Sequence, residues 1–215
     1  MRIHAVYAHL LRPFRRRRMQ RFAQEFRASP DLRVVDVGGS SFNWSFAPGT
    51  PRLVLVNLRA PSDARTLPHG IRVVIGDGTR LAFADAAFDV AFSNSVIEHL
   101  GTRERQAEFA AELRRVARGV WVQTPARSFP FEPHLLAPVV HWLPRRWQRR
   151  LLRRFTLWGW LSRPTPERVE RFLAETRLLG PREMRELFPD CEIRRERFLG
   201  LTKSYVAVRP VAALR

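Results

Sequence analysis

Apolar and polar residues alternate along this chain in blocks that change period several times. In residues 1–28, a basic stretch, Met19, Phe22, Ala23 and Phe26 recur at helical spacing. They predict a short amphipathic helix that Pro30 ends. Leu32 to Val37 is an apolar run broken only by Arg33 and Asp36 and closed by Gly38-Gly39, which predicts a buried strand. Ser40 to Pro51 is rich in Gly, Ser and Pro and predicts loop with at most one helical turn. Leu53–Leu58, Val73–Ile75 and Phe88–Ser93 predict three more strands. Arg103–Ala117 carries Phe109, Ala110, Leu113, Val116 and Ala117 on one helical face, with Gly119 as its stop, and Val120–Gln123 predicts a fifth strand.

Strands that alternate with connecting segments predict an α/β fold, a doubly wound, Rossmann-like and mostly parallel sheet. Such sheets take ligands at the carboxyl ends of their strands. Small and polar residues gather there: Asp36 with Gly38-Gly39, Asn57, Asp77, Ser93-Asn94 and Gln123-Thr124. After the fifth strand the composition shifts to Pro, aromatic and Arg residues, which predicts an inserted helical cap. Within it Trp147, Leu151, Phe155 and Trp158 are expected along one helical side, with Arg145, Arg146, Arg149, Arg150, Arg153 and Arg154 on the other. Pro181–Phe188 then predicts a helix, and Glu192–Phe198 and Ser204–Val208 two closing strands. The expected organisation is a basic helical segment over 1–30, a core over 31–125, the cap over 126–180, and a closing helix and strands over 181–215.

Composition changes this picture little. With 45% hydrophobic and 27% charged residues in 215, the chain has an ordinary globular balance. One cysteine, Cys191, excludes an intrachain disulfide and fits a reducing, cytoplasmic setting. No apolar run reaches membrane-spanning length, and the basic start lacks the apolar stretch of a signal peptide. The net charge of +18 is the unusual figure, and all but one of the 38 basic residues are arginine, Lys203 being the exception. Such a charge suits nucleic acid or an anionic membrane, but the same bias follows from Arg-rich codon usage.

The strongest local signal is Val34-Val35-Asp36-Val37-Gly38-Gly39-Ser40, an acid-ended strand turning through glycines. Glycine permits a tight turn and close approach of a ligand to backbone. A strand exit without a ligand reads the same way. Asn57 stands where such folds place a ribose-reading side chain, or it caps its strand. Asp77, between Gly76 and Gly78, is either an acceptor for an exocyclic amine or a turn aspartate. With GDGTRLAFADAAFDVAFSNSVIEHL and ELRRVARGVWVQTP, these stretches make residues 32–125 resemble the class I S-adenosylmethionine (SAM)-dependent methyltransferases, in the broad small-molecule group.

That resemblance implies a seven-stranded sheet with the cap after strand 5 and SAM as cofactor. It implies that Asp36, Gly38, Gly39 and Ser40 hold the methionine end, that Asn57 faces the ribose where the family usually has Asp or Glu, that Asp77 and Gly78 meet the adenine amine, and that Ser93 and Asn94 line the floor near the methyl group. Ser40 or Ser41 replaces a glycine of the family's usual bend. The acceptor is expected to be small, lipid-linked or a saccharide. His99, Glu132 and His134 are candidate general bases where the acceptor must lose a proton; His99 equally suits a packing or capping role, and Glu132-Pro133-His134 a surface turn. No metal site is predicted, because Cys191 stands alone and no His-x-x-x-His pair occurs. Residues 145–158 are either a solvated face, a contact with anionic membrane at its inner surface, or a phosphate-binding segment. The competing reading is a basic nucleic-acid-binding or membrane-surface protein that uses the same fold without catalysis. Ser93-Asn94-Ser95-Val96 stands where the family's nucleic-acid enzymes often carry a Pro-Pro-Tyr-type motif, which disfavours base methylation.

Overall fold

The computed structural model describes residues 2–49, 51–61, 67, 70–132 and 137–211, with backbone alone for 2–11 and 132. Its first element is α1 (Arg2–Phe26), a single helix of 25 residues rather than a short one. There follow β1 (Arg33–Val37), a one-turn α2 (Ser41–Trp44), β2 (Arg52–Asn57), β3 (Ile71–Ile75) and β4 (Phe88–Asn94). A 3₁₀ turn (Ile97–His99) leads to α3 (Arg103–Val116) and β5 (Ala117–Pro125). The inserted segment holds a small hairpin, β6 (Phe131–Glu132) and β7 (Ala137–Pro138), then α4 (Arg145–Arg154), α5 (Leu157–Ser162) and α6 (Pro166–Glu175). The chain closes with α7 (Pro181–Leu187), β8 (Glu192–Phe198) and β9 (Leu201–Arg209).

The seven long strands form one sheet in the order β3-β2-β1-β4-β5-β9-β8. The first five run parallel, and β9 lies antiparallel to both its neighbours. Strands β1 and β4 sit inside, so their residues are buried on both faces and their sequences read as near-continuous apolar runs. Chain order reverses between β1 and β4, which places a crevice beyond their carboxyl ends.

One face of the sheet is covered by α3 and α7, through Phe109, Leu113, Val116, Met184 and Phe188 against Val35, Val56, Ala91, Val120 and Val122. The opposite face is covered by α1. Met19, Phe22 and Phe26 pack there on Val34, Leu55, Val90, Phe92 and Trp121. The crossover from β1 to β2 has only a four-residue helix, α2, among its described residues, and α1, the helix before β1, covers this face instead. Gly119 makes this close fit possible. It lies within β5, not at a helix end as the sequence predicted, and a Cβ there would come within 2.9 Å of the Phe26 ring.

The cap has its own small core of Ala137, Val140, Leu152, Trp158, Val169 and Leu173. Its two ends return to one place, since Ala126 and Leu179 form an isolated parallel bridge. Of the predicted apolar stripe only Trp158 is buried. The helix breaks at Phe155 and Thr156, Thr156 caps α5 by accepting from Gly159 N at 2.9 Å, and the buried side chains are Gln148, Leu152 and Trp158. Trp147 and Phe155 face outward. Gln148 is buried because its amide donates to the carbonyls of His141 and Leu143, at 3.2 and 2.7 Å.

Candidate functional site

The tips of β1, β2, β3 and β4 adjoin one another. At the end of β1 the Asp36 side chain is fully buried. Its Oδ2 accepts from Trp44 Nε1 at 2.8 Å, and its Oδ1 has no partner among the described residues. Burial pushes this carboxyl up to about 7, and the Trp44 hydrogen bond only partly opposes that. The backbone then turns sharply. Gly38 adopts φ +78° and donates to Val56 O at 2.8 Å. Gly39 lies so close over the carboxylate that a Cβ there would stand 1.8 Å from Asp36 Oδ2. Ser40, half-buried, opens α2 without a side-chain capping bond.

Asn57, the last residue of β2, donates from Nδ2 to Gly39 O at 3.0 Å. Its amide thereby pins the glycine bend to the neighbouring strand. Gly76 N donates to Asn57 O at 2.9 Å, which carries the same edge on to β3. Asp77 follows, with Oδ1 accepting from the backbone N and the hydroxyl of Thr79, both at 2.9 Å, and Oδ2 paired with Arg105 at 3.0 Å. The Thr79 amide, its hydroxyl and Arg105 hold this carboxyl below its ordinary range. Gly78 has a packing role: a Cβ would strike the Phe109 ring at 2.6 Å and Val37 at 2.7 Å.

On the other side of β1, the buried Ser93 hydroxyl donates to Val37 O at 2.9 Å, tying β4 to β1. Asn94 Oδ1 accepts from Arg18 of α1. Ser95 takes φ +57°, and its N and Oγ bond to Gln123 O and Oε1 at 2.9 and 3.0 Å. Glu98 is buried, with Oε2 accepting from Thr124 at 2.9 Å. His99 is exposed on the 3₁₀ turn, one turn beyond these tips.

Of the predicted site residues, Asp36, Gly38, Gly39 and Asn57 are joined directly, with Asp77 on one flank and Ser93 and Asn94 on the other. The backbone of Glu132 lies in β6, while its side chain and the whole of His134 lie outside the described residues. Neither Trp44, Arg18 nor Glu98 stands out in the sequence as a site residue. Trp44 sits in a Gly/Ser-rich segment where no periodicity signals a buried ring, and Arg18 sits in a run of four arginines. Among the described residues no group of three or more His, Cys, Asp and Glu side chains is placed to hold a metal ion.

Residues 51–119 match the family model described as a methyltransferase domain. No curated protein matches the chain. Solved structures share its fold at low identity. A SAM-dependent methyltransferase from Aquifex aeolicus aligns at a TM-score of 0.50 and 12% identity, covering 89% of this chain and 87% of that one. The methyltransferase CalH, solved with S-adenosylhomocysteine (SAH), aligns at 0.52 and 14%, covering 85% and 52%. A chain of the complex between the Haloferax volcanii Trm112 methyltransferase activator and its methyltransferase aligns at 0.55 and 13%, covering 87% and 85%.

Proposed function

We infer that this chain, a class I SAM-dependent methyltransferase, transfers a methyl group from SAM to a small-molecule, lipid-linked or saccharide acceptor bound between the strand tips and the cap. The observation that carries this reading is the bend of Asp36, Gly38 and Gly39 held against Asn57 by the amide-to-carbonyl bond at 3.0 Å.

The residues present fit the cofactor. Asp36 keeps one carboxylate oxygen without a partner among the described residues, an acceptor suited to the ammonium of a methionine moiety. The glycine bend offers backbone with no side chain in the way. Asn57 spends its amide on Gly39 and keeps its carbonyl oxygen for a ribose hydroxyl. The half-exposed carboxylate of Asp77 suits the adenine amine, its pairing with Arg105 being weak at such exposure.

When bound, SAM supplies a methyl group already activated by the sulfonium. The protein's work is then alignment and exclusion of water. Ser93 fixes β4 to β1, so the floor formed by Ser93 and Asn94 holds its distance from the bend. The cap starts and ends at Ala126 and Leu179, directly beyond the carboxyl end of β5. Where the acceptor must lose a proton, His99, Glu132 or His134 takes it. The cap segment 145–158 carries this chemistry to the inner face of an anionic membrane in the cytoplasm; no described helix is long and apolar enough to cross one.

Isothermal titration with SAH tests the reading. Micromolar binding is expected, on the order of −8 kcal/mol, with Asp36→Ala and Asp77→Ala weakening it at least tenfold. A folded sample that takes up no SAH overturns it.

A further inference from the structure

Three cations, Arg18, Lys203 and Arg15, gather at one edge of the sheet, where among the described residues only Arg18 pairs with a carboxylate. Arg18, buried on α1, grips both oxygens of Glu196 on β8 and donates its remaining Nη to Asn94 Oδ1 at the tip of β4. Ser204 Oγ donates to the same Glu196 at 2.6 Å. Glu196 is fully engaged. Lys203, next to Ser204 on β9 and the only lysine in the chain, is half-buried with Nζ 3.3 Å from the centroid of the Phe14 ring. It forms no ion pair with a carboxylate among the described residues. Arg15 is also half-buried. It donates to Asn43 Oδ1 at 3.0 Å, lies over the Phe42 ring and likewise forms no ion pair there.

These groups bracket the strand tips. Asn43 belongs to α2, which follows the glycine bend. Asn94 ends β4, and Ser204 pairs with Pro125, the last residue of β5. Burial above all, then the charges of Arg18 and Arg15, lower the Lys203 ammonium to about 8, although Glu196 opposes this. Burial and Arg18 lower Arg15 in the same way. Two positive charges are thus left over in a partly dry place, an arrangement that an anion relieves. A compact ammonium serves as a point charge for such a group where a guanidinium fork is already committed.

We propose that Lys203 and Arg15 form an anion subsite for the methyl acceptor, which accordingly carries a carboxylate or phosphate group. This rests on the methyltransferase reading. The acceptor, not the cofactor, is the source of the anion, because Lys203 stands beside β5 while the residues that suit SAM lie on β1, β2 and β3. Phe42 lies beneath Arg15 and Phe14 beneath Lys203.

The single lysine makes the test direct. Reductive ¹³C-methylation of the full chain labels Lys203 and the terminal amine alone, and NMR follows Lys203 in the SAH-loaded protein. Inorganic phosphate and, separately, acetate are titrated at an ionic strength fixed with sodium chloride. We expect a saturable change in the position of the Lys203 signal with at least one of them, and a rise in its titration midpoint. The tighter of the two identifies the group. Arg15→Gln weakens that binding by ~10-fold or more, whereas Arg146→Gln on the outer cap leaves it unchanged, and both bind SAH as the wild type does. If Arg15→Gln melts early, calorimetry of phosphate binding to Lys203→Gln replaces it, with the same loss expected. A signal change that never saturates, one that persists in Arg15→Gln, or phosphate that competes with SAH overturns the proposal. Failure of SAH to bind removes the methyltransferase reading instead, and the phosphate titration of unloaded protein then judges the subsite by itself.

Discussion

The indole N–H of Trp44 donates to the Asp36 carboxylate at 2.8 Å, the one hydrogen bond to that buried side chain among the described residues. A carboxyl pushed to about 7 by burial is held where apolar neighbours alone would leave it bare. Trp44→Phe keeps the ring against Phe22 and Phe92 but deletes the donor. The expected cost is about 1–3 kcal/mol, the cost of a buried polar group left without its partner. Urea denaturation of both proteins at one pH measures it, and equal midpoints would remove Trp44 from this role.

The same carboxyl makes stability depend on pH. Its folded value, about 7, lies above the ordinary 3.8, so the folded state binds more protons than the unfolded chain between those values. Its contribution is therefore fully present below about 4 and is lost as pH rises towards 7, at ~1.4 kcal/mol for each pH unit of that interval. Asp36→Asn flattens this slope and stabilises the free protein near neutrality while abolishing SAH binding. Denaturation midpoints at several pH values, with a parallel SAH titration, check both outcomes.

The Asn57 side chain, at the end of β2, holds the glycine bend in place. Its Nδ2 donates to Gly39 O, and a carboxylate would set two acceptors face to face. Asn57→Asp is expected to lower stability by about 1–2 kcal/mol, with a lower melting temperature. An unchanged melt would show that the glycine bend does not depend on this bond.

Arg18 and Glu196 form the most buried ion pair among the described residues, with side-chain exposures of 6% and 15%. Despite its burial, Glu196 is held below its ordinary range by Arg18 and Ser204. Its contribution is present above the ordinary 4.5 and lost as pH falls below that. Arg18→Met strands the carboxylate and is expected to cost about 3–5 kcal/mol, with most of the loss recovered in Arg18→Met/Glu196→Met. A double-mutant cycle by denaturation separates the pair from mere truncation.

Much of this fold was legible because central parallel strands must be apolar on both faces, as Val34-Val35 and Val90 to Phe92 are. The order of tips that brings Asp36, Asn57 and Asp77 together followed from the topology those runs imply. What escaped notice depends on distant partners. Arg18 reads as part of a basic leader until Glu196, 178 residues on, closes over it. Gly119 reads as a helix stop until Phe26 is seen against it. The helix break at Thr156 carries no Pro or Gly of its own, so the outward turn of Trp147 and Phe155 could not be read from spacing.

That outward turn leads to the last prediction. Trp147, Phe155 and Trp160 are 46%, 68% and 66% exposed, and Trp160 donates to the carbonyl of Arg154 at the end of α4, which brings its ring beside that arginine. Of the arginines of α4, Arg149 pairs with Glu170, while Arg145, Arg146, Arg150, Arg153 and Arg154 form no ion pair among the described residues. Exposed aromatic rings beside such cations match the chemistry of an anionic bilayer interface, where each arginine adds ~1 kcal/mol and salt weakens the whole. In flotation assays the protein should rise with phosphatidylserine-containing vesicles and not with pure phosphatidylcholine. Replacing Trp147, Phe155 and Trp160 together by Ser should abolish this at physiological salt while leaving SAH binding intact, because the residues that suit SAM lie on β1, β2 and β3 and not on the cap. Replacing Arg150, Arg153 and Arg154 by Gln should weaken it and flatten its salt dependence. A wild type that stays behind at low salt, or a triple Ser variant that floats as well as the wild type, rules out the cap as a membrane contact.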